Sequence, residues 1–341
     1  IKKSSDYFNT KLYTGNGTSG TDITGVGFQP DWLWIKERSS TSSHFIYDSI
    51  RGVNVKLSSN TTDADSTVSD SMTSFNSDGF TVGNNGATNE NSQTYASWNW
   101  LANGAGVANT DGSISSTVSA NTTSGFSIVT WTSTGSAHTV GHGLNSTPAM
   151  IIMKGRHEAN SWMVYHHKNT SAPETDYLEL NSTVATADYT VWNDTAPTSS
   201  VFSLGTWSGN DAGGTMVAYC FAEKQGYSKF GSYLGNGNAD GTFIYTGFKP
   251  AFFVVKPYST TGNWYCWDSK RSPINEIDGK YLELDASGAE AGTSSVVDLD
   301  FLSNGVKLRN TGGGFNGSGV SFIYMAFAEQ PLVGDNPCTA R

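Results

Sequence analysis

A threefold internal repeat constrains the fold of this chain more than any other feature of its sequence. The segments PDWLWIK, PAMIIMK and PAFFVVK occupy residues 30–36, 148–154 and 250–256. The lysines that end these segments are 118 and then 102 residues apart (154 − 36 and 256 − 154). A period near a hundred residues is too long for a solenoid unit and about the size of a small domain. The chain is therefore predicted to fold as three similar repeats.

Further segments recur at matching places. A second apolar run begins eight residues after each lysine, and a third lies near the end of each repeat: residues 44–48, 162–166 and 264–268, then 95–100, 217–223 and 324–329. Residues 178–181 match 282–285, and we align both with residues 55–58. We assign repeat 1 to residues 1–106, repeat 2 to 107–226 and repeat 3 to 227–341, the last with a short irregular tail.

Composition and local patterning indicate β-structure throughout. Aromatic residues make up 12% of the chain and charged residues only 15%, with 38 glycines. Short apolar runs alternate with clusters of Gly, Asn, Ser and Thr, which favour tight turns, and no segment keeps a 3.6-residue period over a dozen residues. We predict an all-β fold with almost no helix, made of three tandem antiparallel β-sandwich domains of jelly-roll-like size. Glycine-rich junctions predict that these domains follow one another as beads in a row.

Charge and hydropathy exclude two classes of partner. The net charge is −10, and the 20 Lys and Arg residues form no basic stripe that could neutralise phosphates, so nucleic acid is not expected as a ligand. No apolar run approaches the ~20 residues that span a bilayer, so membrane insertion is not expected. Three cysteines cannot form a disulfide framework, and Cys220 and Cys266 lie in strand-like runs as expected for buried thiols.

The patterns of common hydrolases are missing from the sequence. Concanavalin-type glucanases carry E-x-D-x-x-E on one strand, and the nearest run here, residues 298–300, lacks the glutamates. No Gly-x-Ser-x-Gly motif accompanies the six histidines. The pair His138 and His142 would lie about 13 Å apart on a strand, and His166 and His167 would face opposite sides. We therefore expect no enzyme and no metal centre, and interpret the histidines as surface residues.

Carbohydrate binding is the ligand chemistry that the composition favours. Sugar C–H faces stack on aromatic rings, while hydroxyls pair with amides and carboxylates. Most of the ten tryptophans are expected in the core, so aromatic residues in loops are the better candidates, with partly buried loop anchors as the alternative. The candidate glycan-binding residues are Trp131, Trp192, Trp207 and Tyr258, together with Asn193, Asp194, Asn210 and Asp211.

One loop resembles the beginning of a calcium-binding loop. Asn236, Asn238 and Asp240 follow the alternation D-x-[DN]-x-[DN]-G, but the position of the bidentate glutamate holds Gly247. A hairpin turn explains the segment better, since residues 13–17 repeat its beginning. No cofactor is predicted, and these three residues remain weak Ca²⁺ candidates.

Five segments carry a resemblance to a known group of proteins: residues 27–36, 48–52, 74–80, 192–205 and 324–329. They resemble a module common in structural proteins of marine bacteriophages, of the tail-fibre-like kind with lectin- or glucanase-like (concanavalin-type) sandwiches. The resemblance covers essentially the whole chain. It implies a virion component that faces the host, and it supplies no functional residues. One departure is Asn99, where the group would have Cys.

These observations lead to one primary hypothesis and two alternatives. The primary hypothesis is a non-enzymatic virion appendage, such as a tail fibre, on the virion surface in the extracellular space. Its expected partners are bacterial surface polysaccharide, other virion proteins and further copies of itself, a trimer by analogy, with avidity from repeated weak sites. The first alternative is a purely architectural capsid decoration or filament subunit. The weaker one is a polysaccharide depolymerase.

Overall fold

The computed structural model describes residues 1–271, 280–291 and 299–333. Within these ranges the all-β prediction is confirmed, since every ladder between the named strands is antiparallel. Helix is limited in the same ranges to single turns: α1 (Gly86–Asn89), α2 (Gly313–Asn316) and the 3-10 turns Ser4–Asp6 and Thr190–Trp192. Such turns are far too short to cross a bilayer.

Repeat 1 forms a large sheet and a small sheet. Its strands are β1 (Phe8–Thr14), β2 (Thr21–Thr24), β3 (Trp32–Glu37), β4 (Phe45–Asp48), β5 (Gly52–Leu57), β6 (Ser66–Thr67), β7 (Met72–Asn76), β8 (Gly79–Val82) and β9 (Thr94–Trp100). The large sheet has the order β1-β9-β3-β4-β5-β6, and the small sheet the order β2-β8-β7. Strand β3 is buried along its whole length, as the apolar run Trp32–Ile35 predicts for a central strand packed on both faces.

Repeat 2 has the same plan with two additional strands at one edge. Its strands are β10 (Val107–Asn109), β11 (Ser116–Asn121), β12 (Phe126–Thr132), β13 (His138–Gly141), β14 (Met150–Gly155), β15 (Met163–His166), β16 (Asp176–Glu179), β17 (Ala187–Asp188), β18 (Val201–Leu204) and β19 (Thr215–Phe221). The large sheet has the order β10-β11-β12-β19-β14-β15-β16-β17, and β13 pairs with β18.

Repeat 3 follows the order of repeat 1. Its strands are β20 (Ser228–Leu234), β21 (Phe243–Tyr245), β22 (Phe248–Pro257), β23 (Tyr265–Asp268), β24 (Leu282–Glu283), β25 (Leu299–Leu302), β26 (Gly305–Leu308) and β27 (Ser321–Pro331). The sheets are β20-β27-β22-β23-β24 and β21-β26-β25. The register also repeats, because Trp32 pairs with Trp100 as Met150 pairs with Phe221 and Phe252 with Phe327.

Each large sheet is packed on both faces. One face covers the small sheet of the same repeat and forms a core private to that repeat. The other faces of all three large sheets meet in a single cluster, in which the ring of Trp32 lies 4.5 Å from that of Tyr219 and Phe8 lies 5.3 Å from Phe327. The beads-in-a-row arrangement is therefore wrong, because the repeats share their largest core.

A closed set of backbone hydrogen bonds joins the repeats, and we call it the inter-repeat ring. The segment after the lysine that ends each repeated motif pairs with a loop of a neighbouring repeat. The six hydrogen bonds, all 2.8–3.0 Å long, are Ser42 N to Ser287 O, Asn160 N to Thr62 O, Gly262 N to Thr183 O, Glu290 N to Arg38 O, Asp65 N to Arg156 O and Thr186 N to Tyr258 O. Repeat 1 thus pairs with repeat 3, repeat 2 with repeat 1, and repeat 3 with repeat 2. The order of contacts returns to its starting point.

The three repeated lysines are buried where this ring meets the sheets. The Nζ atom of Lys154 donates to Gly155 O and Asn160 Oδ1 at 2.7 and 2.8 Å. Lys36 and Lys256 each reach a carbonyl of the neighbouring repeat, at Ser287 and Ser182 respectively. Burial is the main cause that lowers the pKa of each lysine to about 8. The lysines therefore hold the loop carbonyls together and do not face solvent.

A buried ion pair beside the shared core occurs in two repeats and is replaced in the third. Asp48 pairs with Arg51 and accepts a hydrogen bond from Tyr219 of repeat 2 at 2.7 Å. Asp268 pairs with Arg271 and accepts from Trp98 Nε1 of repeat 1 at 3.0 Å.

Repeat 2 has His166 and Asn169 at the matching positions, and the residue in register with Tyr219 and Trp98 is Met325, which offers no donor. A buried carboxylate needs donors, so a neutral histidine fits this third position. His166 Nε2 instead donates to the carbonyl of Tyr324, 3.1 Å away.

Candidate functional site

A groove of about 560 Å³ opens on repeat 2 between β15, β16, the 3-10 turn Thr190–Trp192 and the loop after β18. Its aromatic lining is Tyr177, Tyr189 and Trp207, and its polar lining includes Glu158, Asn160 and Glu179. We call this feature the groove. It combines ring faces with carboxylate and amide groups on one repeat.

The aromatic side chains of the groove differ in how they are held. Tyr189 is 51% exposed, while Trp207 is only 7% exposed and packs into the private core of repeat 2. The indole of Trp207 lies directly over Gly209, where a Cβ atom would come within 2.2 Å of the ring. Burial, together with the charge of Glu179, raises the pKa of Tyr177. The groove therefore has a fixed wall at Trp207 and an accessible one at Tyr189.

The polar groups of the groove are positioned by neighbouring repeats. Asn160 is fixed because its N–H donates to Thr62 O of repeat 1 and its Oδ1 accepts from Lys154. The backbone carbonyl of Glu179 accepts a hydrogen bond from Trp264 of repeat 3 at 2.8 Å. The inter-repeat ring thus fixes the backbone from which these side chains project.

The corresponding positions of the other repeats carry different side chains. Leu57, Leu178 and Leu282 occupy the same place against Ile46, Val164 and Cys266. By this register, repeat 1 has Lys56 and Ser58 where repeat 2 has Tyr177 and Glu179, while repeat 3 has Tyr281 and Glu283 beside a small cavity of about 90 Å³. The groove is thus a feature of repeat 2 and not a property of all three repeats.

A larger cleft of about 660 Å³ lies between repeats 2 and 3. Its polar lining is paired internally, since Lys229 bonds Glu223 at 2.7 Å and His167 Nε2 donates to Phe230 O at 2.9 Å. The groove offers exposed aromatic surface and a carboxylate, Glu179, with no ion pair among the residues that the structure describes. We therefore take the groove as the candidate site.

Two predicted glycan-binding tryptophans belong to the core. Trp131 is 5% exposed and packs against Phe202, with ring centroids 5.6 Å apart. Trp192 is 1% exposed and meets Tyr165 edge to face at 5.8 Å. Their assignment to a binding surface is corrected here, because neither side chain presents a ring face to solvent.

Asn210 is buried and holds a loop. Its Oδ1 accepts from Ser133 Oγ, and its Nδ2 donates to Gly205 O and Ser136 O at 2.6 and 3.1 Å. Asn89 and Asn316 hold the corresponding loops of repeats 1 and 3 in the same way. The assignment of Asn210 to sugar contact is therefore corrected to a loop-holding role that recurs in every repeat.

The remaining candidate glycan-binding residues are more exposed, but they lie in different parts of the structure. Asn193 and Asp194 are exposed in a turn with positive φ, and Tyr258 is half-buried at the junction of repeats 3 and 2. None of these three lines the groove, whereas Trp207 does and Asp211 stands at its end. Of the eight predicted residues, the structure brings only Trp207 and Asp211 to the groove.

The calcium-like loop is a set of linked turns. Asn236 Oδ1 accepts from the N–H of Asn238, and Asn238 Oδ1 accepts from the N–H of Asp240, at 3.0 and 2.9 Å. The carboxylate of Asp240 pairs with Lys307 at 2.7 Å. The side-chain oxygens of this loop are thus engaged in the hairpin that the sequence favoured.

The interpretation of the histidines as surface residues is wrong for four of them. His44, His138, His142 and His166 are buried, and each has a ring nitrogen within hydrogen-bond distance of a backbone carbonyl. Cys220 and Cys266 are buried free thiols, which matches their expected state.

Sequence reasoning missed Tyr177, Tyr189, Glu158 and Glu179. Tyr177 and Glu179 stand on alternate positions of β16, which is the spacing that puts two side chains on one face of a strand. This signal was present in the sequence, but the partner elements that complete the groove are brought together only by the fold.

The comparison with protein families gives one match. The model of a family described as a domain of unknown function (DUF7483) matches residues 3–331, which span all three repeats. No curated protein matches the chain.

Proposed function

We propose that this chain, which belongs to the DUF7483 family of domains of unknown function, is a non-enzymatic surface-contact protein that binds carbohydrate through the groove of repeat 2. The observation that carries the proposal is the exposed ring of Tyr189 beside Tyr177, Trp207 and two glutamates. Aromatic faces stack on sugar rings, and carboxylates and amides accept or donate hydrogen bonds to hydroxyls.

The size and openness of the groove favour a short stretch of a polysaccharide. A volume of 560 Å³ lies within the range of small-molecule sites, roughly 300–1,000 Å³. With one exposed aromatic ring, a single groove binds weakly, and useful affinity comes from many copies acting together. The resemblance to phage structural proteins leads us to propose a virion appendage that contacts bacterial surface polysaccharide, with other virion proteins and further copies of this chain as its neighbours.

A direct test is titration of the purified chain with host envelope polysaccharide, with reducing ends assayed in the same sample. Tyr189→Ala should weaken binding at least tenfold, because it removes the accessible wall of the groove. The matched control is Tyr245→Ala, since Tyr245 is 58% exposed on repeat 3 and lies outside the groove. Equal binding by both variants would contradict the proposed site, and release of reducing ends would contradict the non-enzymatic role.

The inter-repeat ring favours a second candidate function, a purely architectural subunit. Three repeats that share one core and pair in a closed order form a rigid block suited to tiling. Electron microscopy of assembled particles separates the two roles. Regular copies along a shell or shaft would favour architecture, and a few copies at a distal tip would favour attachment.

A further inference from the structure

Three groups able to bind a metal converge at the end of the groove. His157 Nε2 lies 3.7 Å from Glu158 Oε1 and 3.8 Å from Asp211 Oδ2. One ligand atom from each residue lies within 4.8 Å of the others. Two come from the segment after β14 and the third from the loop before β19, so the fold brings together residues more than fifty positions apart.

The orientation of His157 is fixed by contacts outside the cluster. Its Nδ1 lies 3.3 Å from the carbonyl oxygen of Thr215. A carbonyl oxygen only accepts, so Nδ1 carries the proton and the lone pair of a neutral ring is on Nε2. The ring also packs on Gly214, where a Cβ atom would come within 2.4 Å of it. Metal-ligating histidines commonly donate their other N–H to a carbonyl in this way.

Two carboxylates lie close to Nε2 of His157. These carboxylates repel one another unless a positive charge lies between them. The nearest residue in sequence that could supply it, Arg156, is engaged with Asp65 of repeat 1 at 2.7 Å. The cluster therefore places two carboxylates and one imidazole nitrogen within 4.8 Å of one another.

We propose that His157, Glu158 and Asp211 bind a divalent transition metal of the Zn²⁺ class. One imidazole nitrogen with two carboxylate oxygens suits such ions, whereas Ca²⁺ prefers oxygen ligands alone. Ligand atoms about 2.0–2.2 Å from a tetrahedral Zn²⁺ lie about 3.4 Å apart, so small side-chain rotations would close the observed distances. Three protein ligands leave a coordination position open at the end of the groove, which Glu158 also lines.

The site goes beyond the proposed carbohydrate binding and does not rest on it. Metal binding depends on the three ligands alone, and sugar binding can be measured in the presence of a chelator. The two proposals can therefore fail separately.

The test is isothermal titration of the chelator-treated full chain with ZnCl₂, followed by the visible spectrum of the Co²⁺-loaded chain. The wild-type chain should bind one equivalent and give the intense absorption of low-coordinate Co²⁺. His157→Ala and Asp211→Asn should each weaken Zn²⁺ binding by about a hundredfold or more, since even the outer contacts of metal ligands are worth 10–100-fold.

Glu90→Gln is the matched control, because Glu90 is an exposed acid of repeat 1 far in sequence from the cluster. It should bind Zn²⁺ as the wild type does. Binding that is absent in the wild type, or equal in the wild type and the His157→Ala variant, would overturn the proposal.

Discussion

The indole N–H of Trp162 in repeat 2 donates a hydrogen bond of 2.8 Å to the carbonyl oxygen of Ser58 in repeat 1. Trp264 of repeat 3 makes the same contact with Glu179 of repeat 2, and His44 of repeat 1 makes it with Glu283 of repeat 3. The side chain at this one position of each repeat thus adds a hydrogen bond to the backbone of a neighbouring repeat. These contacts lie at the boundary between the inter-repeat ring and the shared core.

Replacing Trp162 by Phe should destabilise the protein more than a similar change elsewhere. The variant leaves the carbonyl of Ser58 with only the longer 3.4 Å contact from the N–H of Thr61, at a cost of about 1–3 kcal/mol beyond the loss of packing. Trp192→Phe is the matched control, since Trp192 is equally buried in the same repeat but its Nε1 has no partner among the described residues. Urea unfolding of both variants measures the difference, and equal losses would contradict a role for the hydrogen bond.

Breaking the buried ion pair of repeat 1 should be severe. Arg51→Met leaves Asp48 buried and without its counter-charge, which costs about 3–5 kcal/mol. The double variant Asp48→Asn with Arg51→Met removes both charges, so it should lose less than the sum of the single changes. Additive losses in denaturant unfolding would show that the two side chains do not act as a pair.

Acid should unfold the protein partly through its buried histidines. Burial lowers the pKa of His44 and of His166 to about 3, well below the ordinary value of 6.5. Their stabilising contribution is complete above pH 6.5, and it is lost as the pH falls toward 3 because only the unfolded chain then binds the protons. At pH 5 the loss is about 2 kcal/mol for each histidine.

The variant His44→Gln tests this dependence, because glutamine can still accept from Trp34 and donate toward Glu283. The difference in the free energy of unfolding between pH 7 and pH 5 should shrink by about 2 kcal/mol relative to the wild type. The exposed His157, changed to Gln and measured in chelator, serves as the comparison. An undiminished difference in His44→Gln would contradict the assignment.

Substitutions of Asn210 and of its sequence neighbour Asp211 should differ in their effect on stability. Asn210→Ala removes the donor for two loop carbonyls and should lower the free energy of unfolding by about 2–3 kcal/mol. Asp211→Asn changes an exposed group and should leave stability in chelator within about 0.5 kcal/mol of the wild type. Thermal unfolding checks both, and a stable Asn210→Ala variant would contradict its loop-holding role.

The sequence predicts the strands well because their signals are local. The segments 30–36, 148–154 and 250–256 contain all but the last residue of β3 and β14 and much of β22, and the runs that follow them are the next strands of the same sheets. The alignment of residues 55–58 with 178–181 was wrong by two positions, because Leu57 and Leu178 occupy the same place in the ladder. Two residues preserve the alternation of a strand, so its pattern alone does not reveal the shift.

The arrangement of the repeats and the composition of the groove depend on distant contacts. The sequence around Trp32 predicts an apolar strand residue. Nothing near it in the sequence indicates that its ring contacts that of Tyr219, almost two hundred residues away. Trp131 and Trp192 were assigned to loops by their neighbours, whereas their burial follows from the small sheet that covers them. For the same reason, Tyr189 could not be distinguished from other loop tyrosines.

The closed order of the inter-repeat ring limits how this chain can assemble. In an open array each added unit leaves a free side for the next, so growth along that contact has no natural end. Here repeat 1 occupies the side of repeat 3 that a fourth unit would need. The loops that pair one repeat with the next are thus all paired within one molecule. Any filament or shell built from these subunits must therefore grow by contacts other than those that hold its repeats together.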